Sequence, residues 1–120
     1  MTPTAAIAKA GTAVLDPASG KRLTMLDPRT RAQAIFIDPR LAQLTPVDVI
    51  RDAALNAFAM AVQGLESHMR QPLADASLLE AVRLLRDNLP HLGSRGDGAD
   101  VRGALLLAAV LTGQGTDQTS

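Results

Sequence analysis

Cysteine, tryptophan and tyrosine are all missing from this 120-residue chain, whose only aromatic residues are two phenylalanines. Without cysteine there is no disulfide framework, no thiolate nucleophile and no cysteine-based zinc site, and the redox compartment stays open. An excess of either charge is missing too: twelve Lys and Arg offset twelve Asp and Glu. Balanced charge, with almost no rings to stack on bases, leaves no electrostatic footprint for nucleic acid and argues against that partner. No apolar run reaches the roughly 20 residues that span a bilayer, and residues 1–10 show no basic stretch followed by an apolar core. The expectation is a soluble, cytoplasmic chain with no membrane partner. What the chain does have is 47% hydrophobic residues. That suffices for one core in a domain burying roughly two-thirds of its unfolded surface, and excludes a dinucleotide domain joined to a separate substrate domain.

Three Asp-Pro pairs punctuate the first third: Asp16-Pro17, Asp27-Pro28 and Asp38-Pro39. Proline forces its predecessor out of the helical region and Asp can bond its own downstream backbone, so each pair reads as a turn. The runs GTAVL and RLTML, joined by DPASGK with Gly20 free to take positive φ, predict a β-hairpin. Ala34 to Ile37, continuously apolar, predicts a third short strand covered on both faces, pairing with the hairpin or with another copy.

After Leu44 the pattern turns helical. Thr45 as cap, Pro46 at the first helical position and Asp48 in the first turn mark a start. Val47, Ile50, Ala54, Phe58, Ala61 and Leu65 then make one stripe of a buried central helix in which Asn56 is the only polar residue from Ala53 to Val62. A second helix follows Pro72, with Leu78, Leu79, Val82, Leu85 and Leu89 facing inward, and ends at Pro90 and Gly93. Asp97 and Asp100 open a third, from Val101 to about Thr112. The fold class is mainly α with a small β element: a hairpin plus a third strand, then three main helices in a partial bundle. Residues 1–10 are expected to be disordered or extended, 11–113 a single domain (11–39 hairpin and third strand, 45–113 helical) and 114–120 a frayed tail.

The run GTAVLDPASGKRLTMLDPRTRAQAIFIDPRLAQLTPVDVIRDAALNAFAMAVQGLES, followed by PLADASLLEAVRLLRDNLPHL, resembles the iron-containing alcohol dehydrogenase superfamily, and within it the maleylacetate reductases, over residues 11 to 113. The resemblance implies that this segment is the hairpin leaving a nucleotide-binding domain and the first helices of an all-helical domain. It also implies that the first helix carries an Asp, a His four residues later and a Glu three after that, the Asp and His being metal ligands in the alcohol dehydrogenases. Here Asn56, Met60 and Gln63 stand at those positions, on one helix face by their spacing. A neutral amide and a thioether are poor ligands for iron or zinc, so no metal is expected. The family's glycine-rich phosphate loop has no counterpart, so no cofactor is expected in this chain, and NAD(P)H would enter only through a partner chain.

Other residues offer little substitute chemistry. His68 lies about 120° around an ideal helix from Asn56, and His91 sits at a helix end. Ser67 and His68 are adjacent, which splays their side chains apart. Arg22, Arg29, Arg31 and Arg40 read as an anion-binding rim or, with Asp16, Asp27 and Asp38 close by, as a solvated mixed-charge face. Arg95-Gly96-Asp97 spells an adhesion tripeptide but reads most simply as a loop leading to a helix cap. Asn56 reads as a buried amide bonded to nearby backbone or, as the maleylacetate reductase resemblance implies, as an orienter of a substrate carboxylate; Met60 reads as core filler and Gln63 as a polar edge. The functional expectation is a stand-alone, non-catalytic remnant of the family's helical domain, acting by protein–protein or self-association as an accessory or oligomerising subunit. Its alternative is one chain of a split NAD(P)H-dependent oxidoreductase, with Asn56, Met60 and Gln63 lining a substrate pocket. A third class is a small-ligand-binding helical module.

Overall fold

The computed structural model describes residues 3–4, 8–67 and 71–119. Strands β1 (Gly11–Leu15) and β2 (Arg22–Leu26) form an antiparallel hairpin in which Gly11 faces Leu26 and Leu15 faces Arg22. A one-turn 3-10 helix (Pro28–Thr30) and the short α1 (Pro39–Ala42) lead into three long helices: α2 (Val47–Leu65), α3 (Pro72–Asn88) and α4 (Ala99–Thr119).

The Asp-Pro reading holds in atomic detail. Each Asp accepts from the backbone N–H two residues on: Asp16 from Ala18 at 3.0 Å, Asp27 from Arg29 at 2.9 Å and Asp38 from Arg40 at 3.0 Å. The side chain thus substitutes for a backbone turn, and proline fixes the next φ. Gly20 takes φ +69° at the hairpin turn, as its position demands.

The third strand does not form. Residues 34–37 belong to no ladder, and among the described residues the sheet has only two strands. Ile35 and Ile37 are half-buried, while Ala34 and Phe36 face water, Phe36 at 84% exposure, so the segment is not covered on both faces. Its apolar composition marked a tendency to extend; a strand also needs a partner, and none of the described residues pairs with it.

Ile50, Ala54, Ala57, Ala61 and Gly64 are the buried positions of α2, and Ala74, Leu78, Ala81 and Leu85 those of α3, both spaced four and three apart. Leu79, expected inside, is 58% exposed, and Phe58 lies at the edge of the buried stripe. The core gathers Ile50, Ala54, Ala81, Leu85, Leu92, Val101, Leu105 and Ala108. The central helix is α4 rather than α2: burial continues around much of its circumference through Thr116, and α1, α2 and α3 all pack on it. It also outruns its expected end, since residues 114–119 continue the helix instead of fraying. Thr112 donates to the carbonyl of Ala108 and Thr116 to that of Thr112, so their hydroxyls are satisfied within the helix and both can be buried. Pro46 takes the cap position of α2, one residue earlier than its expected place. Of residues 1–10, Pro3 and Ala8 are buried rather than loose.

Candidate functional site

The outer face of α2 carries the three residues singled out in the sequence. Asn56 and Gln63 are exposed and Met60 is half-buried, so the trio is a surface feature and not a buried one. The reason is local: the helix packs through its alanines, and Asn56 falls on the opposite side from Ala54, Ala57 and Ala61. Asn56 and Met60 do meet, with the amide Nδ2 donating to Sδ at 3.7 Å across one helical turn. An amide whose donor already rests on a thioether offers one carbonyl oxygen and a soft sulfur, a donor set that does not fit iron or zinc. Among the described residues no group of three or more His, Cys, Asp and Glu is placed to hold a metal ion. His91 lies exposed in the 3-10 turn Leu89–His91, and His68 lies outside the described residues.

Arg29, Arg31 and Arg40 each pair with an acid rather than assembling an anion rim. Arg29 pairs with Asp27 at 2.7 Å, Arg40 with Asp38 at 3.2 Å, and Arg31 with Asp117 of α4. The Arg29 and Arg40 side chains hold the Asp27 and Asp38 carboxyls below the usual carboxylate range. Their charge is therefore spent locally.

Two features escaped the sequence reading. The first is Arg102, a buried cation on α4. Its guanidinium grips Asp97 through Nε at 3.2 Å and Nη2 at 3.0 Å, and Nη1 donates to the carbonyls of Ala42 at 2.7 Å and Thr45 at 2.9 Å. This clamp ties the start of α4 to the end of α1 and the approach to α2, and it turns the Asp97 of the adhesion-like tripeptide inward. An Asp–Arg spacing of five, spanning a loop and a helix start, was its only trace in sequence. The second is an open apolar groove of about 200 Å³ lined by Leu55 and Phe58 of α2, Leu85 and Arg86 of α3, and Leu89 and Pro90 beyond it. A larger cavity of about 390 Å³ is lined by that Arg31–Asp117 ion pair together with Leu73, Ser77 and Gln114. No helix among the described residues is long and apolar enough to cross a membrane.

With these elements in place the chain can be set beside known proteins. No family model matches it. It is 29% identical over 94 residues to maleylacetate reductase 1 of Cupriavidus pinatubonensis, a match covering 78% of this chain and 27% of that protein. It is 22% identical over 100 residues to the NAD-dependent methanol dehydrogenase of Bacillus methanolicus, covering 83% and 26%. Its fold superposes on the crystal structure of maleylacetate reductase from Agrobacterium tumefaciens with a TM-score of 0.88 and 23% identity, over 98% of this chain and 34% of that one. The architecture is thus one segment of the fold seen in that larger structure. The chain's relatives and structural neighbours include maleylacetate reductases, a methanol dehydrogenase and a protein described as an alcohol dehydrogenase, and it spans about a quarter of the length of the curated relatives it matches.

Proposed function

We propose that this oxidoreductase-family segment works by association, as an accessory or oligomerising unit with no metal, cofactor or reaction of its own. The observation that carries the reading is the hairpin. Every residue of β2 is exposed, and the two-stranded sheet has no extensive packing against any helix among the described residues. The register sets Val14 opposite Leu23 and alternation puts Met25 on that same face, all three more than half exposed. A lone two-stranded hairpin is marginal in water, and an apolar face on one calls for a cover. Leu26 and Leu44, each 81% exposed, add to the uncovered surface. Light scattering on the purified chain is expected to give a particle larger than one copy, with Leu23→Asp/Met25→Asp reducing it. A wild-type protein that stays monomeric on concentration would overturn the reading.

A second reading is that the chain is one component of a split NAD(P)H-dependent reductase. It is favoured by Asn56, Met60 and Gln63, which lie on the solvent side of α2 where a covering chain could reach them, and by relatives named as a reductase and a dehydrogenase. Mixing the chain with a separately encoded glycine-rich nucleotide-binding partner and following nicotinamide absorbance tests it. No turnover above either chain alone removes it.

A further inference from the structure

Strand β2 closes the sheet on one side with a row of unspent backbone groups. The Asp27 N–H donates to the Ala10 carbonyl at 3.3 Å and the Asp16 N–H to the Lys21 carbonyl at 2.8 Å, so positions 21 and 27 turn their backbone toward β1. By antiparallel alternation Leu23 and Met25 do the same, while Arg22, Thr24 and Leu26 aim their N–H and C=O groups outward. Among the described residues nothing receives them: the sheet has no third strand, and no hydrogen bond outside the hairpin involves these three. Every residue of β2 is exposed, so the edge is open to solvent. A row of this kind takes another extended strand, because only a strand repeats amides and carbonyls at the same spacing. The outer edge of β1 is the weaker template, since it runs through Gly11 and Ala13, both poor strand formers.

We infer that two copies of this chain associate by antiparallel pairing of β2 with β2 about a two-fold axis at Thr24, joining the two hairpins into one four-stranded sheet. This rests on the association reading above and names its partner and its edge. The strand is complementary to its own reversal. In this register all three outward residues find partners: Thr24 meets Thr24 of the second copy, a favourable cross-strand pair, and Arg22 meets the second copy's Leu26. The aliphatic stem of Arg22 can then cover Leu26, which is 81% exposed in the single copy. Leu23 and the second copy's Met25, each more than half exposed, come side by side on the face shared with Val14. No charge stands opposite its like: Lys21 falls across from the second copy's Asp27, which keeps its own bonds from Arg29. Four strands also remedy the marginal stability of two, and the contact is reciprocal, as closed two-fold assembly requires.

Sedimentation equilibrium on the full chain and on Thr24→Pro tests this, with circular dichroism to confirm that the variant keeps its helices. Proline at 24 removes an outward N–H and none that serves the hairpin, and it leaves Val14, Leu23 and Met25 in place. The wild type should dimerise and Thr24→Pro should dissociate at least tenfold more readily. A second measurement uses the absence of cysteine from the chain, which lets Thr24→Cys and Ala13→Cys each carry a single thiol. Residues paired at the axis lie about 5.5 Å apart at Cα, within disulfide reach. Diamide should therefore link Thr24→Cys into a covalent dimer at least tenfold faster than Ala13→Cys, which lies across the hairpin from Thr24 and one strand farther from the axis. Thr24→Pro associating as tightly as wild type, or the two thiol variants linking at equal rates, would overturn the edge pairing while leaving association through the hairpin's apolar face standing. A wild type that remains monomeric would overturn both.

Discussion

Arg102 is a guanidinium taken out of water, and its partners decide what its removal does. With both members of the pair largely buried, Arg102→Ala leaves the Asp97 carboxylate without its cation and removes the guanidinium donor from the carbonyls of Ala42 and Thr45. Breaking such a pair destabilises by about 3–5 kcal/mol, and urea denaturation should show a loss of that order. Arg102→Lys should recover little, because a lysine cannot span the bidentate grip on Asp97 and both carbonyls together. The pH dependence follows from the same contact. Hydrogen bonds from the Arg102 side chain hold the Asp97 carboxyl below the usual range. Its folded value lies under its unfolded one, so its contribution is complete above the unfolded value, about 3.9, and is lost as pH falls through the lower, folded value. Asp97→Asn should therefore be less stable than wild type at neutral pH, with the gap narrowing on acidification; a constant gap would contradict the assignment. Asn56→Leu, by contrast, changes an exposed side chain and should move stability by no more than about 0.5 kcal/mol. The sequence pattern identified Asn56, Met60 and Gln63 as one face of a helix. It could not say which face, because an alanine-rich helix presents small apolar residues on several sides.

At the level of elements, local chemistry was legible and non-local pairing was not. The hairpin and the starts of α2 and α3 follow from Asp-Pro, Thr-Pro and Gln-Pro steps that act within a few residues. The unformed strand at 34–37 and the extension of α4 both depend on what lies across space. The helix runs on past Thr112 through two glycines, and the close approach of α3 makes one of them an asset. A Cβ added at Gly115 would come within 2.6 Å of Leu78, a fully buried side chain. Alanine ordinarily stabilises a helix by about 1 kcal/mol over glycine, but overpacking here costs about 1–3 kcal/mol. Gly115→Ala should accordingly lower the melting temperature. A rise would mean that α3 and α4 are less tightly packed than described.

Across the whole molecule, a three-helix core is well filled while the hairpin and Phe36 hold apolar side chains in water. That contrast between a satisfied core and an unsatisfied periphery underlies the association reading. It also explains why composition foretold a folded chain without foretelling where its uncovered surface would lie: hydrophobic content counts residues, and exposure depends on which neighbours are present. Light scattering of the wild-type chain through a dilution series at micromolar concentration addresses this most directly. The account predicts a multi-copy particle that dissociates on dilution; a single-copy mass at every concentration, with the hairpin intact, would contradict it.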